Sequence, residues 1–119
     1  MQEQSAFLEE LISIFNLSTL AYRNYLNAGK TFQFASELKL HNSQALKLLT
    51  ENRSLAGGNL QNDIQSLITH YTEWTKKWEK LAAEKEHQPA DLFVFTNDII
   101  FPKHAAQNLE EAYRSSKEY

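Results

Sequence analysis

Cysteine is absent from this chain of 119 residues, and glycine, proline and valine are scarce, at three, two and one. Without cysteine there is no disulfide framework, no thiol nucleophile and no thiolate zinc site. So little glycine and proline leaves few turns, and the near absence of valine starves a sheet of β-branched residues. No apolar run approaches the roughly 18 residues of a membrane span. The Met1-Gln2-Glu3-Gln4 start is acidic where a secretory signal would be basic. The formal charge of -3 argues against a general nucleic-acid binder. These absences lead us to expect one soluble, cytoplasmic, all-α domain spanning 1–119.

What the chain does have is a long apolar seam. Leu60, Ile64, Leu67, Tyr71, Trp74, Trp78 and Leu81 recur at alternating spacings of four and three, and Lys85 ends the run. This heptad pattern carries both tryptophans and predicts a helix packed, coiled-coil fashion, against another. Lys76, Lys77, Lys80, Glu73, Glu79 and Glu84 lie off it, a solvated mixed-charge face.

Ahead of the seam, Ser5 is a plausible cap for a short amphipathic helix with Leu8, Leu11, Ile12 and Phe15 on one face. Asn16-Leu17-Ser18 reads as its end, with Ser18 capping the next helix. From Thr19 to about Arg53 only Gly29 interrupts, which predicts one long helix. Its weaker seam includes Asn24 and Asn42, read as partly exposed or as register-fixing. Ala56-Gly57-Gly58-Asn59 is the clearest turn, with Gly57 suited to a left-handed C-cap and Asn59 to an N-cap. Two long helices and so short a loop predict an antiparallel hairpin within a small helical bundle.

Beyond Pro89, periodicity does not decide between a short helix and an extended segment for the apolar cluster from Leu92 to Phe101; a helix of about ten residues, capped by Asp91 and stopped by Pro102, is the favoured reading. Pro102 then opens a last helix with Ala105, Leu109, Ala112 and Tyr113 inward.

Catalytic signals are weak. Glu84-Lys85-Glu86-His87 holds one Glu-x-x-His step, where di-metal bundles need two. Glu37 and His41 are spaced i, i+4 and do not supply the second, so a ferritin-like metal bundle is a distant alternative. His70, beside the seam, reads as a partly buried histidine or a titrating switch. His104 reads as a surface residue. Gly57-Gly58 lacks the lysine and strand of a phosphate loop. No serine has histidine and acid in a recognisable arrangement. We expect no enzyme, no cofactor and no metal.

In texture, FLEELISIFNL (7–17), AYRNYLNAG, NSQALKLL and the closing FPKHAAQNLEEAYRSSKEY resemble the phasins, small helical proteins that coat polyhydroxyalkanoate storage granules. Leu17 is followed by Ser18 where that family often has proline, and the two tryptophans and the Leu92–Phe101 cluster are departures. The resemblance implies a non-enzymatic, granule-associated protein whose amphipathic helices adsorb to a hydrophobic polymer surface. Phe7, Leu8, Leu11, Ile12 and Phe15 are then the binding segment, and a homo-oligomer is expected. The alternative is a protein–protein adaptor or regulator using the aromatic seam.

Overall fold

The computed structural model describes residues 2–95 and 99–116, the side chain of Gln2 excepted. Four helices occur among them: α1 (Gln2–Asn27), α2 (Phe32–Glu51), α3 (Gln61–Ala82) and α4 (Lys103–Ser116). They form an elongated all-α bundle, 49 × 22 × 21 Å. Sequence neighbours run antiparallel, and α4 closes the ring by lying antiparallel to α1, with Ser116 beside Ser5 and Phe101 beside Phe15.

The first expectation to be corrected is the break at Asn16-Leu17-Ser18. Helix α1 runs straight through it, because Leu11, Ile14, Phe15, Ala21 and Tyr25 keep one buried stripe in phase across those residues. Ser18 caps nothing; its hydroxyl donates to Asn42 Oδ1 on α2. The real break lies at Gly29, inside the predicted Thr19–Arg53 helix. Gly29 (φ 81°) and Lys30 (φ 61°) are left-handed. The Lys30 N–H donates to Tyr25 O (2.8 Å) and the Gly29 N–H to Leu26 O (3.3 Å). That is a Schellman closure with glycine at the position that favours it. The predicted long helix is therefore the end of α1, a tight turn and α2.

Helices α2 and α3 do form an antiparallel hairpin, with Lys39 against Glu79 at one end (4.0 Å) and Arg53 against Gln65 (2.6 Å) at the other. Its turn differs from expectation. Two short 3-10 segments, Arg53–Leu55 and Gly58–Leu60, make the corner. Gly57 is extended (φ −64°, ψ 162°) rather than left-handed, and Asn59 does not cap α3. Gln61 instead ties the corner, donating to the carbonyls of Arg53 and Ala56 at 3.0 Å each. The seam is buried from Leu60 through Trp78, with Leu81 half-buried, and α3 stops at Ala82, short of Lys85. Helix α3 packs against both α2 and α4, so the seam has more partners than the single helix expected.

The second correction concerns the Leu92–Phe101 cluster, which is not a helix where it is described; Thr96, Asn97 and Asp98 lie outside the described residues. Its described residues, 92–95 and 99–101, together with 89–91, belong to a strap that is extended over 92–95 and finds backbone partners elsewhere. Phe32 N–H donates to Asp91 O (2.8 Å), Gln33 N–H to Pro89 O (3.0 Å) and Phe93 N–H to Lys30 O (2.8 Å). Helix α2 has no side-chain cap from Thr31, and the strap's carbonyls take the donors its first turn leaves over. Asp91 caps no helix; it accepts from the Gln88 N–H (2.8 Å). Phe93 and Phe95 turn inward and Leu92 and Val94 outward, the period of an extended chain. Pro102 stands directly before α4, which buries Ala105, Ala106 and Leu109 and half-buries Ala112 and Tyr113.

The fourth column of the bundle is thus α4 below and the strap above. Two core clusters follow. The lower joins Leu8, Leu11, Leu49, Ile64, Leu67 and Leu109; the upper joins Tyr25, Ala35, Trp74, Trp78 and Phe93. Between them lies Asn42, which is buried rather than partly exposed.

The α1–α2 turn sets the fold's first corner, and Gly29 would meet nothing with an added Cβ, so only its backbone conformation opposes substitution. Gly29→Ala is expected to cost about 1 kcal/mol, and Lys30→Gly to be neutral or to gain up to about 1 kcal/mol. Urea unfolding of both variants checks the order; a Gly29→Ala protein as stable as the parent would contradict the assigned turn.

Candidate functional site

The N-terminal residues expected to meet a hydrophobic surface are interior in the closed bundle. Phe7, Leu8, Leu11 and Phe15 are buried in the lower cluster, and Ile12 is half-buried. A surface reaches them only if α1 separates from its neighbours. The large apolar side chains that do face outward are others: Leu17, Leu20 and Leu26 on α1, Leu40 on α2, and Leu92, Val94 and Ile100 on the strap. Ile100, 89% exposed, is the extreme case. Reading Leu17 as a helix end and the strap as a helix hid this set, although the alternation of Leu92 and Val94 with Phe93 and Phe95 carried the signal.

A second feature lies where the two cores part. A cleft of about 410 Å³ opens between the upper half of α1, α2, α3 and the start of α4. Phe15, Tyr71, Trp74 and Phe101 give it aromatic walls, and Leu38 and Ala106 add aliphatic surface. Its polar groups are Asn16, Ser18, Thr19, Tyr22, Asn42 and His70, with Glu110 at α4. Thr19 bonds back to Phe15 O (3.0 Å), which leaves Ser18 and Asn42 as a cross-helix polar pair. No lysine or arginine lines the cleft among the described residues.

His70 is buried, packed edge-on against Tyr71 (5.0 Å) and Phe101 (5.2 Å). Its Nδ1 is closed off from solvent and has no hydrogen-bond partner. Burial pushes its pKa below the ordinary histidine value, with the Ile100 backbone and Glu73 opposing more weakly. The imidazole is neutral near pH 7. Burial also raises the Tyr71 phenol. The Tyr25 phenol is raised by burial as well, although the Phe95 N–H donates to its oxygen (3.1 Å) and works the other way. Tyr25 in turn donates to Phe93 O, a bond that pins the strap to α1.

The metal-like spacings do not converge. His87 lies flat on Phe32 (4.8 Å, 10°) and edge-on to Phe93, while Glu84 is exposed. Glu37 points to solvent, and His41 pairs with Gln44 (3.1 Å). His104 is exposed. Among the described residues no three histidine, aspartate or glutamate side chains gather as a metal site. No helix among them is long and apolar enough to cross a membrane. Comparison of the chain with protein families, with curated proteins and with solved structures finds no match.

The histidine makes a pH prediction. Its folded pKa is lower than its unfolded one, so as pH falls through about 6.5 the unfolded chain takes up the proton first. Stability contributed by the neutral imidazole is full above that pH and is lost below it. The parent is expected to gain stability from pH 5.5 to 7.5 by urea unfolding, and His70→Leu to lose most of that slope. Equal slopes in the two proteins would refute the assignment.

Proposed function

We propose that this protein is a non-enzymatic binding protein that adsorbs, in the manner of a phasin, to the surface of a hydrophobic polymer granule. The observation that carries this reading is the outward set of large apolar side chains, above all Leu17, Leu20, Leu92, Val94 and Ile100, on a bundle whose core is already complete. Each Å² of apolar surface taken from water on adsorption contributes roughly 25 cal/mol before ordering costs. A water-facing protein gains nothing from Ile100 at 89% exposure, whereas a granule surface covers it without unfolding the bundle.

Adsorption through these residues needs no opening. The inner stripe of Phe7, Leu8, Leu11, Ile12 and Phe15 adds to it only where α1 lifts away and the polymer replaces the lower core as its partner. Without a granule, the same outward residues offer a contact to a second copy of the chain, in keeping with the homo-oligomer expected from the sequence. The charged outer faces, such as Glu110 with Arg114 (3.8 Å), then stay in water.

The test is co-sedimentation of the purified protein with polyhydroxybutyrate particles. The parent is expected to pellet with the particles. A Leu17→Asp, Leu20→Asp, Ile100→Asp triple variant, with its helical circular dichroism intact, is expected to stay in the supernatant. Leu11→Asp, at a core position, should unfold the bundle instead. A parent protein that fails to sediment sinks the reading.

A further inference from the structure

The cleft between the two cores plays no part in surface adsorption and calls for its own account. A bundle of this length could join its two cores by apolar residues, yet at this level it places Ser18, Asn42 and His70. Asn42 and His70 are 6% and 8% exposed, so both stand over nine-tenths buried while forming part of the cleft wall. Burying an amide and an imidazole costs stability unless their polar atoms are satisfied, and the histidine's Nδ1 is not. That cost is retained at the wall of a cavity of about 410 Å³.

We infer that this cleft is a binding site for a small, uncharged, planar aromatic molecule that carries a hydrogen-bonding edge. Volume is the first argument: about 410 Å³ falls within the range of small-molecule sites and accommodates one or two fused rings. The walls are the second. Tyr71, Trp74 and Phe101 present ring faces and edges, which favour a flat apolar guest. The polar edge is the third. Asn42 Oδ1 accepts from Ser18, and the amide nitrogen is the donor that this pair can offer to a guest.

Charge decides the remaining choice. An anionic guest would find no lysine or arginine among the described lining residues and a neutral histidine beside it. A cationic guest would find one carboxylate, Glu110, which is 38% exposed and already faces Arg114. Neither charge is compensated in the buried part of the cleft, so a neutral molecule is the one that enters without a desolvation loss.

The test uses the full chain, labelled with nitrogen-15, and indole as the probe, followed by amide and side-chain resonances. The two tryptophans serve as internal reporters, because Trp74 lines the cleft and Trp78 does not. Indole is expected to shift the Trp74 side-chain N–H and the Asn42 amide saturably at millimolar or lower concentration, with the Trp78 signal unmoved. Benzoate and benzylamine are expected to bind at least tenfold more weakly. Asn42→Leu, which removes the polar edge and fills part of the space, should weaken indole at least tenfold. If that variant does not fold, Leu38→Trp narrows the cleft from its aliphatic side and should have the same effect. Absence of saturable shifts, benzoate binding as well as indole, or shifts confined to outward residues such as Leu17 and Ile100 would each overturn the inference.

Discussion

The bundle depends on a short stretch of backbone where the strap crosses the start of α2. Helix α2 begins without a side-chain cap, and its Phe32 and Gln33 N–H groups are taken by the Asp91 and Pro89 carbonyls. In return Lys30 O, in the turn that ends α1, accepts from Phe93 N–H, and Tyr25 on α1 donates to Phe93 O. Two stretches far apart in sequence, 25–33 and 89–93, thus satisfy one another's polar groups at a single place. Phe93, 2% exposed, fills the space beneath with Trp78 at 5.1 Å and Phe32 at 5.4 Å. An isolated helix end would leave those donors to water; here they hold the connection between α3 and α4 against the bundle.

That arrangement has a geometric consequence. Because the strap is extended where a fourth helix would be, the upper half of the bundle is filled by alternate side chains rather than by a full helix face. Phe93 and Phe95 reach inward, and the outward members, Leu92 and Val94, are left to solvent. Below, α4 supplies Ala105, Ala106 and Leu109 to a conventional core. The cleft lies at the level where one kind of filling gives way to the other, and so do Ser18, Asn42 and His70. The exposed apolar set and the cleft are two products of one topological choice.

Much of this was legible from spacing. The α3 seam, the α2–α3 hairpin and the inward face of α4 follow from periodicities of three and four that extend over many residues, and tertiary packing uses them unchanged. Helix ends were harder. Asn16-Leu17-Ser18 offers the residues of a cap, yet the apolar stripe from Leu11 to Tyr25 outweighs them, since burial of several large side chains exceeds the worth of one capping bond. Gly29 was visible, but a lone glycine costs a helix only about 1 kcal/mol, and the Schellman closure rests on where Lys30 and Tyr25 meet. The pairing of the strap was illegible for a stronger reason. Its partners, Lys30 and Phe32, lie some sixty residues earlier, and no local pattern encodes a pairing of that range. The cleft shares this origin, as its walls come from α1 to α4 and from Phe101.

The closed bundle also constrains how such a protein can use its apolar residues. Phe7, Leu8, Leu11 and Phe15 satisfy Leu49, Leu67 and Leu109, so a polymer surface competes with partners already packed at close to crystalline density. A fluid or rough surface offers fewer van der Waals contacts per side chain than that core, and α1 therefore gains little by leaving it. Leu17, Leu20 and Ile100 face no such competition, for water is their only alternative. Surface binding that begins with the outward set, and draws on the inner stripe only at high coverage or strong curvature, is the order that the energetics favour. Under the adsorption proposed above, the Ser18–Asn42 pair stays intact, because it lies in the part of the bundle that need not open.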